Sequence, residues 1–164
     1  MAKIGADPIL NSPTAAREAL EKDLVQGLRG RTHQRPHPLT LLVPIFGNPD
    51  SESPDLFLLR LQFSYYPDWP PGAQFVNPFT RQYDKTKDLI WLPRIEGNSR
   101  IQVHADYNNS MGQVICSSMT LEFYKVRHGG KESEVWTEKH TFAATINEIE
   151  MGLRPNDGYK GRMG

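Results

Sequence analysis

Three strand-like segments follow one another with nothing of helical period between them: Leu39-Thr40-Leu41-Leu42-Val43-Pro44-Ile45-Phe46, then Asp55 to Phe63, then Gly72 to Asn77. In the second, Leu59, Leu61 and Phe63 alternate with Arg60 and Gln62, the period of a half-buried strand. Turn residues fill the gaps, Gly47-Asn48-Pro49-Asp50 after the first segment and Tyr66-Pro67-Asp68-Trp69-Pro70-Pro71 after the second. Parallel neighbours need a crossover of a dozen or more residues, usually a helix, and these gaps are too short for one, so the segments predict an antiparallel meander. Ile101-Gln102-Val103-His104 alternates again and is the candidate fourth strand.

Helices flank this meander. Ser12 is the candidate N-cap of the first, with Pro13 at its first position, and Ala16, Leu20, Leu24 and Leu28 recur on one face while Arg17, Glu18, Glu21 and Lys22 take the other. The stretch from Arg31 to Pro38 is basic, without period, and reads as a linker. Phe142, Ile146, Ile149 and Leu153 mark the buried face of a second helix, with Thr137 as its expected cap. The expected class is α+β: an N-terminal helix, a four-stranded antiparallel meander, a Cys-bearing loop and a second helix, with Cys116 exposed in a shallow groove beside the second helix. Residues 12–157 form the expected domain, between an N-terminal tail, 1–11, and a C-terminal tail, 158–164.

A chain of 164 residues is the size of one ordinary domain and can bury a core without a disulfide or a structural metal. Its 19 basic and 19 acidic side chains cancel, so bulk charge draws it to neither nucleic acid nor an anionic membrane, and neither partner is expected. The N-terminus lacks the apolar core of a secretory signal, and no stretch is long and apolar enough to span a bilayer. A cytoplasmic location is expected, where the one cysteine, Cys116, stays reduced. A lone Cys with scattered histidines builds no zinc site, so no metal is expected.

Cys116 follows Gly112-Gln113-Val114-Ile115. A thiolate is both a strong nucleophile and a good acyl leaving group, so a cysteine at a fixed point of a fold can accept an acyl group and pass it on. An unpaired Cys, here with Val114 and Ile115 beside it, is by itself more often a small buried hydrophobe.

The order of these features resembles the ubiquitin-conjugating (E2) enzymes, whose UBC-like fold carries a Tyr-Pro-x-x-Pro-Pro-x-x-x-Phe turn and strand. It stands here as Tyr66-Pro67-Asp68-Trp69-Pro70-Pro71-Gly72-Ala73-Gln74-Phe75. The family's Gly-x-Ile-Cys is similar to Gly112-Gln113-Val114-Ile115-Cys116, its Trp-Ser/Thr-Pro to Trp136-Thr137-Glu138, and its Leu-x-x-Pro-Asn to Leu153-Arg154-Pro155-Asn156-Asp157. The resemblance runs from about Ser12 to Asp157. In place of the family's His-Pro-Asn stands His104-Ala105-Asp106, an extra residue separates Gly112 from Cys116, a longer segment separates Cys116 from Trp136, and the two C-terminal helices of most eukaryotic members are absent. Such short, divergent forms resemble the bacterial E2-like proteins encoded in antiphage defence operons.

The resemblance implies a transferase that takes the C-terminal glycyl group of a ubiquitin-like protein from an E1-like adenylating enzyme as a thioester on Cys116, then yields it to an amine of a protein target. In cyclic-oligonucleotide signalling systems the loaded group is the C-terminus of a nucleotidyltransferase. No cofactor is implied. The family's asparagine stabilises the oxyanion of the tetrahedral intermediate. An ionised Asp106 in that slot repels an oxyanion, and counting back from Cys116 puts Asn108, with Asn109 beside it, at the family's spacing. His104 and His140 are candidate polarising groups, with a structural role as the default. Asp157 matches an acidic position that helps deprotonate the attacking lysine, and is as easily a turn former. Arg17, Lys22 and Arg29, with Arg31, match the surface presented to the E1 partner, where a solvated charged face is the default. Two other readings stay open: a non-catalytic E2-variant module that binds ubiquitin-like proteins or peptides, which a buried, unreactive Cys116 favours, and an unrelated α+β domain with a structural cysteine.

Overall fold

The computed structural model describes residues 2–126 and 135–164. The polar loop read at 128–134 lies outside the described residues. Helix α1, Pro13–Leu28, starts where the sequence places it: the Ser12 hydroxyl accepts the Ala15 N–H at 3.1 Å, and Pro13 fills the position whose N–H has no partner in a helix. Its C-cap, Arg29, takes the left-handed conformation (φ 49°) and donates its N–H to the Val25 carbonyl.

The protein is an α+β fold with a four-stranded antiparallel sheet in the order β1 (Gln34–His37), β2 (Thr40–Gly47), β3 (Asp55–Gln62) and β4 (Gly72–Val76). Val43 pairs with Leu59, and Leu59 with Phe75, so β2, β3 and β4 are in one register across the sheet. The first strand is a correction. Gln34–His37, read as an aperiodic linker, forms the sheet edge and pairs His37 with Thr40 through the tight turn at Pro38-Leu39. An edge strand that leaves both faces largely exposed writes no hydrophobic period, and charge and Pro36 are what such edges carry. The expected fourth strand stands apart: β6 (Gln102–His104) pairs with β7 (Val114–Cys116) as a separate ribbon.

The inward residues of the sheet, among them Val43, Ile45, Phe57, Leu59, Leu61 and Phe75, pack with Leu20 and Leu28 of α1 and with Phe142, Ile146 and Ile149 of α3 (Phe142–Gly152) in one core. Gly27 of α1 is required there, because a Cβ would come within 2.1 Å of the buried Phe142 ring. The cap of α3 is Thr141, not Thr137. The 137–140 backbone instead closes as a turn in which His140 Nδ1 accepts the Thr137 N–H at 2.9 Å. Trp136, fully buried, donates Nε1–H to the Pro67 carbonyl at 2.8 Å and meets the Tyr66 ring edge-on. The turn after β3 is thereby fixed to the entry of α3, and its Tyr66–Pro67 peptide is cis. The Tyr66 hydroxyl donates to Asp23 of α1 at 2.5 Å.

The segment 158–164, read as a tail, carries strand β8 (Tyr159–Arg162), which pairs antiparallel with β5 (Pro93–Ile95). Arg162 lies over the Phe57 and Trp91 rings and donates to the carbonyls of Ile90 and Leu56, seating this ribbon beside the sheet.

Candidate functional site

Cys116 is the last residue of β7, opposite Gln102 of β6. Directly opposed residues of an antiparallel pair share a face, and so do residues two apart, so His104 lies on the same face as Cys116, as its diagonal neighbour at roughly 7–8 Å. The β6–β7 ribbon is locked to the edge of the main sheet by Gln113. Its carboxamide accepts the Phe75 N–H at 2.7 Å and donates to the Phe75 carbonyl at 2.8 Å, doing for β4 what a neighbouring strand would do.

The turn after Cys116 is braced from inside. The Thr120 hydroxyl donates one proton shared between the carbonyls of Ile115 (2.6 Å) and Ser117 (2.9 Å), the residues on either side of Cys116. From α3, Thr145 donates to the Met119 carbonyl at 2.7 Å, and the Tyr124 hydroxyl donates to the Ser118 carbonyl at 2.9 Å while accepting the Trp136 N–H. Helix α2, Leu121–Lys125, follows at once.

Cys116 is not exposed in a groove, as the sequence reading expected. It is 9% exposed, because it ends a strand between the buried Ile115 and Ser117 rather than riding on an open loop. Burial pushes its thiol up to about 11.

The hairpin between β6 and β7 turns through Tyr107–Asn109, with Asn108 and Asn109 both left-handed (φ 51° and 60°) and exposed. Both sit at its tip, while Cys116 stands at its opposite end, so the fold does not bring these asparagines beside the thiol. Asp106 organises the tip: its Oδ1 accepts the Gly112 N–H at 2.9 Å and its Oδ2 pairs with Lys85 Nζ at 2.7 Å, which together hold its carboxyl below the usual range. His104 meets the Tyr107 ring edge-on.

His140 is taken up by the turn before α3 and stacks on Trp136. Asp157 ends a 3-10 turn, Pro155–Asp157, whose carbonyl accepts from Asn98 at 2.8 Å. It lines a polar cleft of about 420 Å³ with Arg100, Ile101 and Glu148, and on this segment the lining ends at Ile101, one residue before Gln102, the partner of Cys116. Arg17 and Lys22 are exposed on α1 and Arg29 is its cap, so none shares an element with Cys116.

Sequence reasoning missed Gln113, Thr120 and Glu122. The signal for Glu122 was available, an acid inside the otherwise apolar run Leu121–Tyr124. Both its carboxylate oxygens accept the Ala73 N–H, at 3.2 and 3.1 Å, a second side-chain cap on the edge of β4. Burial pushes this acid up to about 7, against the opposing pull of Lys125 and Arg60.

Among the described residues no group of three or more His, Cys, Asp or Glu side chains forms a metal-binding set, and no helix is long and apolar enough to cross a membrane. Comparison with protein-family models, with curated proteins and with solved structures finds no match.

Proposed function

We propose that this chain has the UBC-like architecture and works as an E2-type thioester carrier, with Cys116 as the acyl acceptor. The observation that carries the reading is the placement of Cys116: last in its strand, beside His104 on one face, with the carbonyls flanking it held by a single hydroxyl. The N-terminal helix, the meander, the Tyr66-to-Pro71 turn ahead of β4, and α3 entered through Trp136 support it in the same chain order as the family's elements.

In the loading step the Cys116 sulfur attacks the thioester carbonyl of a modifier's terminal glycine held on an E1-like enzyme. The new C–S bond forms, the old one breaks, and the Cys116 proton passes to the departing E1 thiolate. In transfer, an acceptor amine displaces Cys116 and the amine's proton returns to the sulfur. With a thiol near 11, only about one molecule in ten thousand is thiolate at neutral pH, so the rate must come from holding the reacting atoms in place. His104, the nearest candidate, takes the proton-handling role. A ubiquitin-like protein, or a nucleotidyltransferase C-terminus in an antiphage operon, is the proposed cargo.

The burial of Cys116 favours a second reading, a non-catalytic module of the same architecture that binds a ubiquitin-like protein or a peptide. Cys116→Ser separates the two. A carrier accumulates a stable oxyester when charged by its E1-like enzyme and ATP, whereas a binding module retains the modifier without any covalent product.

A further inference from the structure

Arg60 alternates with the core residues Leu59 and Leu61, so its side chain leaves the sheet on the face away from the core. It stands in mid-sheet, between Leu42 of β2 and Gln74 of β4, and its guanidinium donates to neutral acceptors: the Gln74 carboxamide at 2.5 Å, and the Gln82 carboxamide and Arg81 carbonyl at 3.4 Å. With Gln62, Ser64, Tyr65 and Lys125 it lines a cleft of about 290 Å³ where α2 meets the edge of the sheet. The Lys125 ammonium lies 4.8 Å from the centre of the Tyr65 ring, which holds it at the cleft.

The lining is rich in donors and poor in acceptors. Arg60 takes the Gln74 oxygen and the Thr40 hydroxyl takes the Gln62 oxygen at 2.9 Å, so what both carboxamides still have to offer is their NH2 ends. Among the described residues that line the cleft the one carboxylate is Glu122, and both its oxygens are turned to the Ala73 N–H. Two cations ringed by amide and hydroxyl donors suit an anion that accepts through several oxygens at once. We propose that this cleft binds a phosphate group between the Arg60 guanidinium and the Lys125 ammonium, gated by the charge on Glu122. Its volume is at the small end of ligand clefts and takes one such group rather than a whole nucleotide. The Glu122 carboxyl faces Arg60 from β3 and Lys125 from its own helix, backs onto β4 at Ala73, and when ionised competes with the phosphate for both cations. Burial pushes this carboxyl up to about 7, so in mildly acidic solution the competing charge is gone and the site is open to the anion. No histidine is among the described residues that line the cleft. The proposal does not depend on the role of Cys116.

Proton–nitrogen correlation NMR of the full chain, titrated with sodium sulfate at fixed ionic strength, tests it. Sulfate has the shape of phosphate and does not itself titrate between pH 5.5 and pH 8.5. The expected result is saturable shifts centred on the Ala73 and Lys125 amides, in the millimolar range at pH 5.5 and weakened about tenfold or more at pH 8.5. Glu122→Gln is expected to bind at pH 8.5 as wild type does at pH 5.5. Arg60→Gln and Lys125→Gln should each weaken binding about tenfold, with the dispersed spectrum of each variant showing that it folds. Inorganic phosphate should move the same amides at pH 5.5. O-phosphoserine then separates the sources: tighter binding than phosphate assigns the site to a phosphate carried on an organic stem, weaker binding to the free ion. Shifts that do not saturate, or that keep their strength in both Arg60→Gln and Lys125→Gln, overturn the proposal, and so does wild-type binding that is equal at the two pH values.

Discussion

The Gln113 carboxamide pairs with both backbone polar groups of Phe75, at 2.7 and 2.8 Å, and so stands in for a missing strand at the edge of the main sheet. Two neighbouring elements depend on it, because the same residue leads directly into the β7 strand that ends at Cys116.

Gln113→Leu removes donor and acceptor together and leaves the Phe75 N–H and carbonyl buried without these partners. An unmade buried hydrogen bond costs about 1–3 kcal/mol, so urea unfolding is expected to show a loss of roughly 2–4 kcal/mol for the pair. Gln113→Glu keeps an acceptor for the N–H but not the donor, and it buries a carboxylate, so it should be at least as damaging above pH 7.

Thr120→Val keeps the shape of the side chain and deletes the proton shared by the Ile115 and Ser117 carbonyls. The expected cost is about 1–2 kcal/mol, and Thr120→Ser should recover most of it. The same variants report on the thiol. In wild type, burial sets half-maximal iodoacetamide reaction of Cys116 near pH 11. Thr120→Val is expected to let the turn open, raise the rate at pH 8 and move the midpoint down toward 9, the value of an unburied thiol. An unchanged pH profile would show that Thr120 does not govern the burial of Cys116.

Glu122 has a folded-state value of about 7 against 4.5 when unburied, so between these pH values the folded chain holds a proton that the unfolded chain has lost. Its contribution to stability is therefore present below pH 4.5 and is lost as pH rises through 7, a change on the order of 3 kcal/mol. Glu122→Gln keeps an acceptor for the Ala73 N–H and removes the buried charge. It should raise stability at pH 8, leave pH 4 nearly unchanged, and flatten the wild-type slope, as read from urea midpoints at the two pH values.

The parts of the fold written in the sequence are those whose side chains alternate in burial. Ser12 and Pro13 mark the start of α1 to the residue, and the Leu59/Leu61/Phe63 alternation locates β3. Strand β1 carries no such signal, because its sides are largely exposed and only backbone pairing with β2 makes it a strand. Thr137 has the chemistry of a cap, but His140 Nδ1 takes its N–H and Trp136 is drawn under the Tyr66 turn, so the helix begins later, at Phe142. Strand β8 pairs with β5 across more than sixty residues of chain, and no local pattern announces such a partner. At the site, neither the strand that ends at Cys116 nor its burial was legible, since the sequence reading placed it on an open loop. Gln113, Thr120 and Glu122 act on backbone groups of distant or bent segments, which a linear sequence does not display.

The most direct test of the proposed carrier role is intact-mass spectrometry after incubation with ATP, an E1-like adenylating enzyme and the candidate modifier. The expected result is a modifier-sized increase that dithiothreitol removes and that Cys116→Ala lacks while remaining folded, since deleting one thiol at a strand end leaves little cavity. Unmodified protein under conditions where the adenylating enzyme charges itself, or an adduct that persists in Cys116→Ala, would contradict the account.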